Sequence, residues 1–331
     1  MRVRCADMKT QAYDLIGDIH GHHALLISLL AELGYLPQGR GFRHPEGRQV
    51  IFLGDYIDRG PQVREVLHTV RAMVDSGMAL AIMGNHEYNA VCYHTPDGRG
   101  GSLRTWSPAK DRQMAATRCA FADHASEWAG WLEWMKRLPM FLDLGALRCV
   151  HACWDAASIS LLQGNRLTDE KFLRASAMRG TSEYSACEQV LKGPEIPTTE
   201  GNLYRDKDGT WRHSIRTRWW DLEPGLTIND VVMPPGSMDD RMPVDAALLR
   251  SLPSYAAEEP PVFFGHYWLP ATAPKTPLRS NLACLDFSAG LGGPLVAYRW
   301  DGETQLSEEK FVMVGECKSS HSVLIPASQL S

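Results

Sequence analysis

The 331-residue chain lacks any apolar run of the roughly 20 residues a bilayer-crossing helix needs, so no membrane partner is expected. Its opening stretch, MRVRCADMKTQAYDL, has no apolar core of the kind a signal peptide carries, and a cytoplasmic setting is the expectation. It also lacks an excess of positive charge. With 34 Lys and Arg against 39 Asp and Glu, the net charge of −5 argues against wholesale nucleic-acid binding through a basic face. The eight cysteines, Cys5, Cys92, Cys119, Cys149, Cys153, Cys187, Cys284 and Cys317, show no paired CxxC spacing. A chain of this size has core enough without disulfides, so reduced thiols are expected. Internal repeats, heptads and low-complexity tracts are absent too. What remains, 44% hydrophobic and 22% charged, is the composition of an ordinary globular protein.

Against that plain background stand three short clusters: GDIHGH at 17–22, GDYIDRG at 54–60 and GNHE at 84–87. Each follows a short apolar run ending in Gly, AYDLIG, QVIFLG and ALAIMG, which fits a strand buried on both faces. After the first cluster, Leu25, Leu26, Leu29, Leu30 and Leu33 recur at three- and four-residue steps and predict a helix from about His22 to the stop at Gly34. After the second, Pro61 suits a first helical turn, and Val63, Val66, Leu67 and Val70 continue the period toward Gly77. Strand, polar turn, helix, strand is thus repeated, and in open α/β sheets of this kind ligands collect at the carboxyl ends of the strands.

The residue types in the turns suit divalent cations. Asp18 and His20, two apart in an extended turn, can point to the same side and grip one ion. Asp55 arrives from the neighbouring strand end, and its two oxygens can bridge two cations. Asn85 adds a neutral carbonyl oxygen. Oxygen and nitrogen donors without thiolate favour manganese, iron, zinc or similar ions. Taken singly, Asp18 or Asp55 would be an ordinary turn or cap residue; three such clusters in series reverse that reading.

The GDxHG, GDxxDRG and GNHE trio resembles the signature of the calcineurin-like metallophosphoesterases, in particular the branch with serine/threonine protein phosphatases and symmetrical diadenosine tetraphosphatases. The close likeness covers about the first 90 residues. It implies an α/β fold, a two-sheet mixed β-sandwich flanked by helices in four layers, with two divalent ions, manganese foremost and iron, zinc, nickel or cobalt as alternatives. Position by position, it implies that Asp18 and His20 hold the first ion, Asp55 bridges, and Asn85 holds the second. Two later histidines are required at strand ends: His151 closes LRCVH and His266 closes VFFGH. His86 resembles the family's acid, Asp58 the carboxylate that orients it, and Arg59 the phosphate-binding guanidinium. The implied reaction is in-line attack on phosphorus by hydroxide shared between the cations, with no covalent nucleophile.

The rest of the chain departs from the protein phosphatases. Residues 88–139 form an excursion whose Met114, Phe121, Trp128, Trp131, Leu132 and Met135 predict one or two helices, a cap over the site. A second excursion, 165–215, carries the turn signal DKDG and reads as a hairpin or ordered loop. One domain spanning residues 1–331 with these two insertions is the simplest organisation, since the ligands run from Asp18 to His266. A second phosphate-binding arginine has no clean motif. Arg216 and Arg218 are the candidates, because they precede Trp219 and Trp220, which could stack on a flat base; a strand alternating between core and solvent is the competing reading. LACLDFSAG and PLVAYRW are read as paired strands beside the one ending at His266. The expected substrate is a dinucleoside polyphosphate or related nucleotide, with a phosphoprotein as the alternative and a non-catalytic metal-binding scaffold as the third reading. Oligomeric state has no signal in the sequence.

Overall fold

The computed structural model describes residues 11–197, 204–205, 211–233 and 242–315. In chain order, its principal elements begin with β1 (Tyr13–Ile16), α1 (His23–Glu32), β2 (Gln49–Phe52), α2 (Val63–Asp75), β3 (Ala79–Ala81) and α3 (Asn85–His94). Then come α4 (Pro108–Gln113), α5 (Ala115–Ala120), α6 (Ala125–Met135), β4 (Phe141–Asp143) and β5 (Arg148–Val150). Helices α7 (Ala156–Leu162), α8 (Glu170–Ala177) and α9 (Ser182–Lys192) follow, and the chain closes with β6 (Val262–Phe264), β7 (Leu282–Cys284), β8 (Leu295–Trp300) and β9 (Phe311–Val314).

These strands form two main sheets. The first has the order β9-β8-β1-β2-β3, with β1, β2 and β3 mutually parallel and β8 antiparallel to both β1 and β9. The second has the order β7-β6-β5-β4, with β5, β6 and β7 parallel. The sheets face each other across one apolar core: the rings of Phe263 on β6 and Tyr298 on β8 lie 5.0 Å apart. Helices α1 and α2 pack on the first sheet. Their buried faces are the predicted ones, Leu26, Leu29 and Leu30 on α1 and Val63, Val66, Leu67 and Val70 on α2. A mixed α/β fold of sheets flanked by helices is therefore what this sequence adopts. Among the described residues no helix is long and apolar enough to cross a membrane.

The structure corrects several local expectations. PLVAYRW does not pair beside the strand ending at His266. LAC joins that sheet as β7, whereas LVAYRW crosses to the other sheet as β8 and pairs with β1 from Tyr13↔Trp300 to Ile16↔Ala297. Two apolar strands next to one another in sequence can equally pair together or be divided between two facing sheets; here Asp286 to Pro294 carries the chain across. Pro61 lies ahead of α2, whose cap is Gln62. The third cluster is itself the first turn of a helix, α3, and the excursion beyond it holds three short helices, α4 to α6, where the spacing predicts one or two. The excursion 165–215 opens with two helices, α8 and α9, which a reading as hairpin or loop misses. Their buried residues, Phe172 and Leu173 on α8 and Ala186, Cys187, Val190 and Leu191 on α9, do recur at helical spacing. A hairpin does follow, Tyr204–Arg205 against Trp211–Arg212, although the DKDG turn itself lies outside the described residues. Ile196, Ile215, Val231, Val232 and Val244 form a small second core there.

Candidate metal centre

The carboxyl ends of β1, β2 and β3 meet those of β5 and β6, and the polar residues that follow each strand converge on Asp55. Its Oδ2 lies 3.6 Å from His20 Nε2, 3.8 Å from His86 Nε2 and 3.4 Å from His151 Nε2. Two groups of potential donor atoms, each within 4.8 Å of one another, share this residue: His20, Asp55 and His86, and Asp55, His151 and His266. Donors about 2 Å from one ion sit about 3–4 Å apart, so these are ligand-like separations. Asn85 joins the second group, its Oδ1 3.1 Å from His151 Nε2. Asp18 stands one step back: its carboxylate accepts from the His266 backbone N–H at 3.1 Å. All of these side chains are buried.

The donor set suits cations on its own chemistry. The Ile57 carbonyl, 2.9 Å from His20 Nδ1, can only accept, which puts the proton on Nδ1 and leaves the Nε2 lone pair facing inward. That buried Nε2 has no hydrogen-bond partner, and a buried polar atom left so is costly unless something else binds it. Burial, then neighbouring His86, hold His20 well below its ordinary value, in the neutral form a metal requires. The carboxylates in turn draw in positive charge. Burial disfavours a charged His151 ring, yet Asp55 outweighs it and pushes the group up to about 10. Burial and then Asp286 push Asp18 well above the usual carboxylate range, a repulsion that a divalent cation would relieve.

Backbone strain marks the same spot. Among the described residues, eight non-glycine positions have positive φ, and His20, Asp55, Asp58, Arg59, His266 and Trp268 all belong to this centre. Such conformations cost about 1–3 kcal/mol each and persist where surrounding structure over-determines them. Glu87 is one such determinant. Its buried carboxylate accepts from the backbone N–H groups of Asp55, Tyr56 and Gly84 at 2.9, 2.8 and 3.0 Å and so ties the second cluster to the third. Close approach is the other. A Cβ at Gly265 would lie 1.9 Å from Asp18 Oδ1. Gly265→Ala is therefore expected to displace the Asp18 carboxylate and lower metal affinity by about 10–100-fold, read by metal titration of the purified variant.

Beside the cage, His86 Nδ1 lies 2.6 Å from Asp58 Oδ2, and both groups are buried. The Arg59 guanidinium stacks 4.5 Å from the centre of the Trp268 ring, which itself stacks on His20 at 5.5 Å. Trp268 and Asp286 escape a reading of the sequence. Asp286 accepts from the Trp268 backbone N–H at 2.8 Å and follows β7 as the other carboxylates follow their strands, a signal present in LACLDF. Of the two candidate arginines, only Arg216 reaches the centre, donating from Nη1 to the His266 carbonyl at 3.0 Å. Arg218 donates to the Asp221 carbonyl at 3.0 Å instead. Trp219 and Trp220 are no stacking platform. They are buried, with Trp219 donating to the Ala152 carbonyl at 3.0 Å and both rings against Phe264. Cys149 and Cys153 are buried thiols, and burial pushes both up, so neither offers a ready thiolate.

A family model, calcineurin-like phosphoesterase, matches residues 13–152. This part of the chain is similar to a calcineurin-like phosphoesterase domain. The matched span supplies Asp18, His20, Asp55, Asn85, His86 and His151, while His266 lies beyond it. Among curated relatives, an asymmetrical bis(5'-nucleosyl)-tetraphosphatase of Anoxybacillus flavithermus is 43% identical over 74 residues, 22% of this chain and 30% of that protein. The first relatives are thus matched over less than a third of their own length. A symmetrical bis(5'-nucleosyl)-tetraphosphatase of Cronobacter sakazakii is 24% identical over 312 residues, 89% of this chain and 93% of that protein. Solved structures similar to this chain include one described as a putative diadenosine tetraphosphatase, with TM-score 0.43, 15% identity and coverage of 95% of this chain and 96% of that one. A serine/threonine phosphatase from Saccharomyces cerevisiae gives TM-score 0.46 at 12% identity, covering 95% and 82%.

Proposed function

We propose that the protein is a dinuclear metal-dependent phosphoester hydrolase whose substrates are dinucleoside polyphosphates or related nucleotides. The observation that carries this reading is the convergence of donors from five strand ends on one carboxylate, Asp55, next to a His–Asp pair and a stacked arginine. Asp18, His20 and Asp55 would hold one cation, and Asp55, Asn85, His151 and His266 the second, with manganese first among the divalent ions that oxygen and nitrogen donors accept. Two such ions, when bound, supply a nucleophilic water at neutral pH and neutralise phosphoryl charge.

The protein's own groups do the remaining work. Arg59, held flat by Trp268, presents a guanidinium edge that can fork onto two phosphate oxygens and offset charge as it builds in the transition state. His86, its ring fixed through Nδ1 by Asp58, can hand a proton from Nε2 to the departing oxygen. Arg216, beside His266, is the better placed of the two candidate arginines to meet a second phosphate of a polyphosphate chain. The nucleotide preference draws on the Cronobacter relative, aligned over nearly its whole length, and on the insertion helices α4 and α5, which stand over His86.

Kinetics on diadenosine tetraphosphate, a mononucleotide and a phosphopeptide, each with added Mn, test the assignment. A kcat/KM highest for the dinucleotide is the expected result; a clear preference for the phosphopeptide would move the protein to the phosphoprotein phosphatases. Lack of turnover on every phosphoester despite bound metal would make it a scaffold. Arg59→Lys keeps the charge but loses the fork, and should raise the inhibition constant for inorganic phosphate by about 10–100-fold with metal content unchanged.

A further inference from the structure

The carboxylate that orients His86 is itself held by the insertion. Asp58 Oδ2 meets His86 Nδ1, and its other oxygen, Oδ1, accepts from the Thr117 hydroxyl of α5. The same hydroxyl oxygen accepts from the Asp58 backbone N–H at 2.9 Å. Thr117 is thus closed on Asp58 at two points, from 59 residues further along the chain, and all three residues are buried. Asp58 needs such a hold, since its φ of 70° lies in the left-handed region that a residue with a Cβ does not favour. One turn earlier, Gln113 of α4 places its side-chain amide 3.1 Å from His86 Nε2, the place a leaving-group oxygen must take, while Lys110 donates to its carbonyl oxygen at 2.9 Å.

We infer that Thr117 is a positioning residue of the catalytic acid, so that the insertion helix α5 belongs to the proton-delivery device and is more than a wall of the substrate pocket. Thr117 touches no reacting atom; it acts by fixing the rotamer of Asp58, which fixes the His86 ring so that Nε2 faces the phosphate. Of the α5 side chains, it is the Thr117 hydroxyl that meets Asp58. A methyl in its place fills the same space but can neither donate to Oδ1 nor accept from the backbone N–H, leaving a buried carboxylate oxygen unsatisfied. The inference rests on the acid role proposed for His86.

Leaving-group dependence separates this role from a structural one, because only a poor leaving group needs the proton. The test compares Mn-loaded wild type, Thr117→Val and Thr117→Ser on phenyl phosphate and 2,4-dinitrophenyl phosphate. In Thr117→Val, kcat on phenyl phosphate should fall by about tenfold or more relative to kcat on the dinitrophenyl ester, a fraction of the 10²–10⁴-fold that a general acid supplies. Thr117→Ser should rescue the ratio. Independently of turnover, the downfield Nδ1 proton resonance of His86, identified by its absence in His86→Asn, should shift or broaden in Thr117→Val and persist in Thr117→Ser. Equal losses on both esters, or an unchanged resonance, overturn the inference while leaving the phosphoesterase reading intact. A wild type that cleaves neither ester nor any nucleotide overturns both.

Discussion

Asp55→Asn is expected to lower kcat/KM on any phosphoester by at least about a thousandfold, about 4 kcal/mol of transition-state stabilisation, while the circular dichroism spectrum stays that of the wild type. Asp55 is common to both donor groups, and its Oδ2 is the atom around which the imidazoles of His20, His86 and His151 gather. Asparagine preserves shape, and its carbonyl can still accept the His86 backbone N–H that Asp55 Oδ1 accepts at 2.9 Å, so the fold should survive. It removes the second anionic oxygen and places at most one neutral donor where, on the proposed reading, two cations would share a ligand. Elemental analysis of the purified variant should find fewer than two ions per chain. Full metal loading with wild-type turnover would contradict the bridging role of Asp55.

The second large effect is expected from His86→Asn, with a fall in kcat of about 10²–10⁴-fold on nucleotide substrates at unchanged metal content. This variant decides between two roles that the geometry allows. His86 Nε2 belongs to one of the donor groups around Asp55, which would make it a ligand. Its Nδ1 is 2.6 Å from Asp58, a pairing that also suits an acid whose Nε2 is free to carry a proton once a leaving group displaces the Gln113 amide N–H from it. A carboxylate behind an imidazole serves either purpose, orienting a metal-bound ring as readily as a proton donor. Loss of metal in His86→Asn would identify a ligand. Retained metal with lost turnover, most severe for poor leaving groups, would identify the acid.

Much of this centre is legible in one dimension because its parts are local. A strand buried on both faces leaves a compact apolar run, the turn after it must end in residues that tolerate sharp backbone, and the candidate donors sit in that turn. AYDLIG before Asp18 and QVIFLG before Asp55 carry all three signals within ten residues. The same rule points to LACLDF and Asp286, where no family motif directs attention. Trp219 and Trp220 show the limit of such reading. An aromatic pair after two arginines looks the same in sequence whether it faces a base or a core, and only the packing of Phe264 against both rings settles it. Trp268, with fewer neighbours to announce it, is the aromatic residue that stacks on His20 and Arg59.

The sequence alone determined the donor chemistry, the strand ends that carry it and the helices that follow, because these depend on residue type and on periodicities that run over a few turns. Tertiary structure decided everything that joins distant segments: β8 crossing to the first sheet, Gly265 closing on Asp18, Arg216 and not Arg218 beside His266, and Thr117 reaching Asp58. Those contacts are fixed by how two facing sheets and the inserted helices fill one core, and shape complementarity between segments far apart in the chain leaves no periodic trace along it.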